Sequence, residues 1–335
     1  MCCFVCLVVG TTRFIFKLYQ HSHLIMKSES LSPVKDMSIT GSKEIKSLMK
    51  MMSVAGGFQG RLLGEASDIL DEMIRDKKCT RFLSFPADVV ATGLRGVLKE
   101  MIRRKLFDVV IVASGVLDHD VARTSEDYYA GSFDLDDKVL LKKKFHRLGN
   151  VLIPHSNYGP LVEKKIQPFL DNLYNKGVTE LSSGEFCSYL GASLNDESSI
   201  LYWAARNGIH VLVPGFSDGA VGSQTWLFQQ RHRDFRMDLM KDETLLSDTV
   251  FNASRLGALT IGGGITKHHV LWWSQFKQGL DYAIHITTAT EYDGSLSGAR
   301  TKEAISWSKV KPDAREITVN CDATIALPFI TAAVL

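Results

Sequence analysis

Short apolar runs alternate along the chain with segments whose apolar residues recur at helical spacing. Residues 109–112 read Val-Val-Ile-Val and are apolar on both faces of an extended chain. That pattern is typical of a central strand covered on both sides in a parallel sheet. Six further runs are rich in β-forming residues. The predicted strands are Phe82–Phe85, Asp108–Ser114, Asn150–Pro154, Ile209–Pro214, Ala258–Ile261, Tyr282–Thr287 and Ile317–Cys321.

Helical patterns lie between these strands. Apolar residues at three- and four-residue spacing predict a helix over Leu94–Lys105, and a second predicted helix, Ser198–Asn207, ends at Gly208, a typical C-cap. Strands that alternate with helices indicate βαβ units. We therefore predict an α/β fold with a doubly wound, mostly parallel Rossmann-like sheet and helices on both faces. Ligands are expected at the carboxyl ends of the strands.

The first 36 residues differ from the rest of the chain. An apolar start is followed by histidines, serines and Pro33, and Met26 and Met37 are alternative start positions. We predict that residues 1–36 are an N-terminal extension that is either disordered or the product of a mis-called start. No repeat and no linker rich in Pro, Gly or Ser interrupts residues 40–335. Residues 37–335 are therefore predicted to form a single catalytic domain.

The composition excludes several classes of protein. The chain is 45% hydrophobic and its formal charge is +2 over 335 residues, so it has no global basic field to hold a nucleic acid. No apolar run reaches the roughly 18–20 residues that a membrane span needs. Six cysteines, three of them clustered near the N-terminus, favour a reducing compartment and give no basis for a metal site. We expect a cytoplasmic protein that binds no nucleic acid, membrane or metal.

Three polar segments follow predicted strands. The glycines at 262–264 precede a helix, so their backbone can approach a phosphate or a flat ligand, although a tight turn explains them equally well. The adjacent His268 and His269 cannot both face one site. The Asp218 carboxylate can accept a hydrogen bond from a ribose hydroxyl, and an aspartate followed by a glycine is equally typical of a turn. The acids within residues 118–120 also fit the first turn of a helix.

A fourth segment, residues 291–309, holds the most chemistry. Glu303 and Trp307 are four residues apart on a short predicted helix that Pro312 prevents from continuing. A carboxylate beside an indole can hold an alkylammonium through charge pairing and cation–π attraction. Lys309 follows the last turn, and a lysine desolvated near other cations has a lowered pKa and can form an imine. A solvated lysine near a helix end is the alternative interpretation.

Together and in this order, these segments closely resemble deoxyhypusine synthase from about residue 33 to residue 335. The resemblance rests on Gly-Gly-Gly-Ile-Thr-Lys-His-His at 262–269, Glu-Tyr-Asp-Gly-Ser-Leu-Ser-Gly-Ala-Arg at 291–300, Glu-Ala-Ile-Ser-Trp-Ser-Lys at 303–309, and Asp322 with Ala323. The joint occurrence of these motifs is very specific. The sequence Gly-Ser-Leu-Ser-Gly-Ala is more similar to that of archaeal members than to that of eukaryotic members.

The resemblance implies an NAD-dependent transfer of a four-carbon amine. Spermidine is dehydrogenated, and its aminobutyl group forms an imine with an enzyme lysine as 1,3-diaminopropane leaves. The group then moves to one lysine of the translation initiation factor 5A precursor, where retained NADH reduces the imine to deoxyhypusine. The resemblance also implies a homotetramer whose active sites lie between paired subunits. NAD is the expected cofactor, and spermidine and the precursor are the expected partners.

Functional roles are carried over by position. Lys309 matches the imine-forming lysine, and His268 matches the histidine of the spermidine pocket, where it serves as proton shuttle. The other expected substrate-binding residues are Asp118, Ser223, Gly294, Ser295, Leu296, Glu303 and Trp307. The expected NAD-binding residues are Ala87, Asp88, Val89, Val90, Ala91, Ala113, Ser114, Gly115, His119, Asp218, Gly263, Thr288, Ala289, Asp322 and Ala323.

Two departures from the eukaryotic pattern concern the substrate. Ser223 and Leu296 stand where eukaryotic synthases place acids against the spermidine ammonium groups, and each missing buried charge-assisted bond is worth about 1.5–3 kcal/mol. A homospermidine synthase-like aminobutyl transferase with a small amine acceptor is therefore the alternative activity. A catalytically inactive NAD-binding structural subunit is the second alternative, which the presence of Lys309, Glu303 and His268 disfavours.

Overall fold

The computed structural model describes residues 31–335, and a six-stranded parallel sheet forms its centre. In spatial order the strands are β11 (Val310–Asn320), β10 (Leu280–Thr287), β9 (Arg255–Ile261), β1 (Cys79–Phe85), β2 (Val109–Val112) and β7 (His210–Leu212). Every neighbouring pair is parallel. The predicted parallel α/β sheet is confirmed.

Successive side chains of the central strands enter two separate hydrophobic clusters. Leu83 and Val110 belong to the larger cluster, whereas Phe82 and Ile111 belong to the smaller one. Since all four are buried, helices must cover the sheet on both faces. The larger cluster includes α1 (Lys43–Ala55), α2 (Phe58–Arg75), α3 (Leu94–Arg103), α4 (Gly115–Ala122), α6 (Gly159–Asn175), α7 (Ser183–Ser193), α8 (Ile200–Asn207), α9 (Ala220–Arg231) and α12 (Ala323–Val334), and the smaller includes α10 (Met240–Asn252) and α11 (Gly264–Ser274).

Both helices predicted from apolar spacing are present. Helix α3 ends two residues before the predicted boundary, because Lys105 adopts a left-handed conformation with φ of +56°. Helix α8 ends at Gly208, whose φ of +67° is the left-handed C-cap that the glycine predicts. Within residues 31–335, no helix combines the length and the apolar character needed to cross a membrane.

A small antiparallel sheet lies outside the parallel one. It consists of β3 (Tyr129–Ala130), β5 (Val151–Pro154) and β4 (Phe145–Leu148), with α5 (Asp137–Lys142) between β3 and β4. The predicted strand Asn150–Pro154 therefore exists as β5 but does not belong to the parallel sheet. Only Gly149 and Asn150 connect β4 to β5, and a link this short joins antiparallel strands. A short parallel pair, β6 (Glu180–Leu181) and β8 (Arg236–Met237), completes the strands of the described part of the chain.

The segment before α1 packs against the domain. Asp36 forms ion pairs with Arg95 at 3.0 Å and with Arg123 at 2.9 Å. The Val34 N–H donates to the Tyr128 carbonyl at 2.8 Å. Residues 31–36 therefore contribute to the domain, although the predicted boundary placed them in the extension. Residues 1–30 of that predicted extension lie outside the described residues.

The strand order reverses at β1. From β1 the chain builds β2 and β7 on one side of the sheet, and later β9, β10 and β11 on the other. A reversal of this kind leaves a crevice at the carboxyl ends of the strands on either side of it, where ligands bind in open α/β sheets. The fold therefore places a binding site at the ends of β1 and β9.

Candidate active site

A cavity of about 880 Å³ lies at this reversal point. Loops that follow β1, β9, β10 and β11 form its walls, together with the start of α12. Seven of the fifteen residues expected to bind NAD line it: Asp88, Val89, Gly263, Thr288, Ala289, Asp322 and Ala323. The structure thus brings together, in one cavity, residues that are up to 235 positions apart in the sequence (323 − 88).

The glycine loop lies along one side of this reversal-point cavity. Gly262 and Gly264 have φ values of +65° and +66°, a left-handed conformation that favours glycine. A Cβ on Gly263 would lie 2.3 Å from the Cα of Ser297. The middle glycine is therefore needed for close packing against the loop of residues 294–300. Gly264 begins α11, so the free N–H groups of the first helical turn border the cavity.

The remaining expected NAD residues lie at neighbouring strand ends, outside the lining of this cavity. Val90 and Ala91 are fully buried in the core, so direct contact through their side chains does not fit their positions. Asp218 is exposed beyond the end of β7. The full set outside the lining is Ala87, Val90, Ala91, Ala113, Ser114, Gly115, His119 and Asp218.

Asp118 and His119 form a buried polar network on α4. The Asp118 carboxylate accepts hydrogen bonds from two backbone N–H groups at the start of α9 and from the Tyr158 hydroxyl, each at 2.8 Å. Desolvation raises the pKa of Asp118 despite these bonds. His119 lies 2.9 Å from the Tyr128 hydroxyl, and burial lowers the pKa of the imidazole to about 4.

Asp118 has no exposed surface within this chain, and its expected contact with the substrate stays a prediction. Its carboxylate caps the N-terminus of α9, where unpaired N–H groups attract an anion. His119, at 7% exposure, is a neutral core histidine. Neither residue belongs to the lining of the reversal-point cavity or of the cavity around Lys309 described below.

Lys309 enters a second cavity, of about 410 Å³, which we call the lysine cavity. The predicted substrate residues in its lining are His268, Leu296, Glu303, Trp307 and Lys309. The Lys309 Nζ lies 5.3 Å from the centre of the Trp307 ring and 6.0 Å from the centre of the Trp272 ring. Both distances are within the range of cation–π attraction. Gly294 and Ser295 lie in the adjoining loop outside the lining, and Ser223 is exposed on α9.

The helix that carries Glu303 and Trp307 differs from the prediction. Thr301–Trp307 form a 3₁₀ helix, which ends at Ser308 with φ of +56°. Pro312 lies inside β11, so a left-handed serine ends this helix rather than the proline. Glu303 and Trp307 nevertheless both line the lysine cavity. The sharp turn at Ser308 places Lys309 at the start of β11, where its side chain enters the cavity.

His268 is suited to accept a proton. Burial, and after it the charge of Lys309, lowers the pKa of the imidazole. The ring stacks on Trp272 with 6.0 Å between ring centres. His268 is therefore neutral near pH 7 and available as a base. His269 pairs with Glu243 at 3.2 Å, so the two adjacent histidines serve different contacts, as the sequence predicts.

The loop of residues 294–300 separates the two cavities. Leu296, Ala299 and Arg300 line the lysine cavity, whereas Ser297 lines the reversal-point cavity. Lys267, which is not among the predicted site residues, donates hydrogen bonds to two carbonyls of this loop. The two cavities are therefore neighbours that share one wall.

Comparisons with known proteins identify the family. The sequence profile of the deoxyhypusine synthase family matches residues 47–334. A "Probable deoxyhypusine synthase" of Picrophilus torridus is 51% identical over 300 residues, which are 90% of this chain and 96% of the relative. The chain belongs to the deoxyhypusine synthase family. A relative with the same name from Thermoplasma acidophilum is 50% identical over 91% of this chain and 98% of its own length.

The fold agrees with that of a solved member. A crystal structure from Entamoeba histolytica that bears the deoxyhypusine synthase name has a TM-score of 0.58, at 19% identity, over 88% of this chain and 96% of that chain. At this identity the likeness supports the fold alone. The archaeal relatives confirm the predicted archaeal-type resemblance, and membership of the family makes the protein a transferase.

Proposed function

We propose that the protein is a deoxyhypusine synthase, which transfers the 4-aminobutyl group of spermidine, through an imine on Lys309, to one lysine of the translation initiation factor 5A precursor. The observation that carries the proposal is the Lys309 amine, which lies against two indole rings in a cavity that also holds Glu303. Aromatic faces and a carboxylate attract an alkylammonium. A lysine amine is the nucleophile that imine exchange requires.

NAD fits the cavity at the reversal point. A volume of about 880 Å³ is in the upper range of cofactor pockets. The N–H groups at the start of α11 would hold the pyrophosphate. Asp322 caps α12 because its Oδ1 accepts from the N–H of Thr324 at 2.7 Å and from the hydroxyl of the same residue, which leaves Oδ2 for ribose hydroxyls. When bound, NAD supplies a hydride acceptor for oxidation of the donor and a hydride donor for the final reduction.

Residues of the lysine cavity perform the remaining tasks. Neutral His268 accepts the proton that the secondary amine of the donor loses on oxidation. Glu303 pairs with a remaining ammonium group of the donor. The amine of Lys309 then adds to the oxidised carbon, and 1,3-diaminopropane leaves with its nitrogen. The aminobutyl group stays on Lys309 until the amine of the acceptor lysine displaces it.

A second copy of the chain would complete the site. The expected residues form two groups in one chain: Lys309 with its neighbours, and Asp218 with Ser223 beyond β7, outside the lining of either cavity. The surface around Lys309 exposes two indole rings to water, since Trp307 is 66% exposed and Trp272 is 44% exposed. We propose that paired subunits of a homotetramer cover this surface and bring the two groups together.

Borohydride trapping tests the imine. The protein is mixed with NAD and spermidine, reduced with borohydride, and examined by peptide mass spectrometry. We expect one aminobutyl group on Lys309. Lys309→Arg keeps the charge but cannot form the imine, so the adduct and the transfer activity should both disappear. Lys302→Arg, at an exposed position of the same 3₁₀ helix, is the matched control and should keep both.

The absence of an adduct on the wild-type protein with spermidine would contradict this proposal. An adduct with another polyamine instead would show that Ser223 and Leu296 have changed the donor. No adduct with any amine would favour the structural NAD-binding subunit.

Leu296 and Ser223 favour one alternative acceptor, a small amine, because the lysine cavity has a single carboxylate among its described lining residues. Labelled spermidine, with either the precursor or putrescine, separates the two activities. Label in the precursor supports deoxyhypusine synthase. Label in putrescine alone supports the homospermidine synthase-like transfer.

A further inference from the structure

Lys267 is a buried lysine of α11. Its exposure is 2%, and it lines the lysine cavity together with Glu303, whose charge only partly offsets the effect of burial on the pKa of Lys267. Moving an ammonium group away from water is unfavourable unless it is well paired, and burial accordingly lowers the pKa of Lys267 to about 8. The contribution of this side chain must therefore be sought in the hydrogen bonds that it makes.

Both acceptors of Lys267 belong to the loop between the two cavities. Nζ donates to the Leu296 carbonyl at 2.9 Å and to the Ala299 carbonyl at 2.5 Å. A third carbonyl of the loop, that of Ser297, lies 3.1 Å from Nε2 of the buried His285 on β10. Burial lowers the pKa of His285 to about 4, so the ring is neutral and donates as the Nε2–H tautomer. Two buried basic side chains thus hold three carbonyls within four residues.

The position of this loop fixes both cavity walls. Leu296 faces the lysine cavity, while Ser297 packs against Gly263 in the reversal-point cavity. The loop then runs directly into the 3₁₀ helix that carries Glu303 and precedes Lys309. Displacement of the loop therefore moves the donor pocket and the cofactor pocket relative to each other. A misplacement of about 1 Å can lower a reaction rate by about 100-fold.

We propose that Lys267 is a positioning residue, which anchors the loop of residues 294–300 through two main-chain carbonyls and thereby aligns the donor, at Lys309, with the cofactor cavity. The expected effect on the reaction rests on the proposed function. The structural role of Lys267 does not, because its contacts to the loop are independent of any ligand.

Two substitutions separate the hydrogen bonds of Lys267 from its volume. Lys267→Met keeps an unbranched side chain of nearly the same length but removes the ammonium group and both of its hydrogen bonds, whereas Lys267→Arg keeps donors that can reach two carbonyls. Lys277→Met is the matched control, because Lys277 also donates to a main-chain carbonyl, that of Phe251, at 3.1 Å. Thermal stability alone does not test the proposal. Lys267→Met removes a buried charge, which is stabilising, as well as two hydrogen bonds, and the two effects oppose each other.

Hydrogen–deuterium exchange and trapping of the Lys309 adduct provide the readouts. In Lys267→Met, peptides that cover residues 294–300 should exchange faster than in the wild type while the central strands keep their protection. The rate of adduct formation should fall by about 100-fold at saturating spermidine. Lys267→Arg should recover most of both properties, and Lys277→Met should match the wild type in both.

Several results would overturn the proposal. Unchanged exchange of the loop in Lys267→Met would show that Lys267 does not anchor it. Faster exchange with an unchanged rate of adduct formation would leave a structural role only. An aminobutyl group found on Lys267 itself would make it a nucleophile rather than a positioning residue. If the wild-type protein forms no adduct, the proposed function fails, while the exchange measurement still decides whether Lys267 anchors the loop.

Discussion

Glu303 is the one carboxylate among the described residues that line the lysine cavity. A charge-assisted hydrogen bond is worth about 1.5–3 kcal/mol when buried, but Glu303 is exposed to water, which weakens the attraction. We expect Glu303→Gln to raise the KM for the amine donor about tenfold, with a smaller effect on kcat. Steady-state kinetics with spermidine measure both constants. Glu163→Gln, which removes an exposed carboxylate from α6, should leave the KM unchanged, and an equal increase there would contradict a local role for Glu303.

Two buried histidines link stability to pH. Burial lowers the pKa of His119 and of His285 from 6.5 to about 4 in each case. Between these values the unfolded chain binds a proton at each histidine that the folded chain does not bind. Stability should therefore be complete above pH 6.5 and fall as the pH drops towards 4, by up to about 2.7 kcal/mol per pH unit for the pair.

Urea unfolding between pH 5 and 7 checks this dependence. His285→Gln can still donate to the Ser297 carbonyl but cannot bind a proton, so its stability should fall less steeply than that of the wild type as the pH decreases. His146→Gln replaces an exposed histidine of β4 and should keep the full slope. Equal slopes in all three proteins would show that His285 does not remain neutral in the folded state.

In the loop before α11, Gly263 and Gly264 are needed for different structural reasons. A Cβ on Gly263 would meet the Ser297 backbone at 2.3 Å, whereas a Cβ on Gly264 would meet nothing within 4 Å. Gly264→Ala therefore carries only the backbone strain of its left-handed conformation, about 1 kcal/mol. Gly263→Ala must displace the loop between the cavities. We expect it to weaken NAD binding at least about tenfold more than Gly264→Ala does, as measured by calorimetric titration. Similar losses for both variants would contradict this division of tasks.

The elements of the parallel sheet could be predicted because their physical signal is local. Residues Val109–Val112 are apolar on both faces, a pattern typical of a strand that is covered on both sides. The 3₁₀ form of Thr301–Trp307 could not be predicted, since a four-residue spacing fits an α-helix as well. The antiparallel pairing of β5 depends on a partner strand, which the apolar run Val-Leu-Ile does not specify.

The candidate site was predictable in part. The residues around Lys309 follow from motifs that resemble the family, and five of them do line one cavity. The burial of Asp118 depends on the start of α9, about 100 residues away in the sequence, so no local pattern indicates it. Lys267 does have a signal: on α11 it shares a face with the buried Val270 and Leu271, at three- and four-residue spacing. A lysine on the apolar face of a helix indicates a specific polar partner.

At the scale of the whole molecule, the distance between the two groups of expected site residues predicts how an assembly of two different variants should behave. Lys309 lies in the lysine cavity, whereas Asp218 lies beyond the end of β7 and outside that lining. If paired subunits share each site, Lys309→Ala and Asp218→Ala damage opposite halves of it. A mixed pair then contains one doubly altered site and one site in which both halves are intact.

Co-expression of the two inactive variants should therefore restore activity. Random pairing makes about half of the pairs mixed, each with one intact site, so about a quarter of the wild-type activity should return. Lys309→Ala mixed with Lys309→Arg is the matched control, because every chain in that mixture lacks the imine-forming amine in its lysine cavity and no intact site can form. Restoration in the first mixture but not in the second would place Asp218 and Lys309 of one site on different subunits. Inactivity of both mixtures, with each variant correctly folded and assembled, would place the complete site within a single chain.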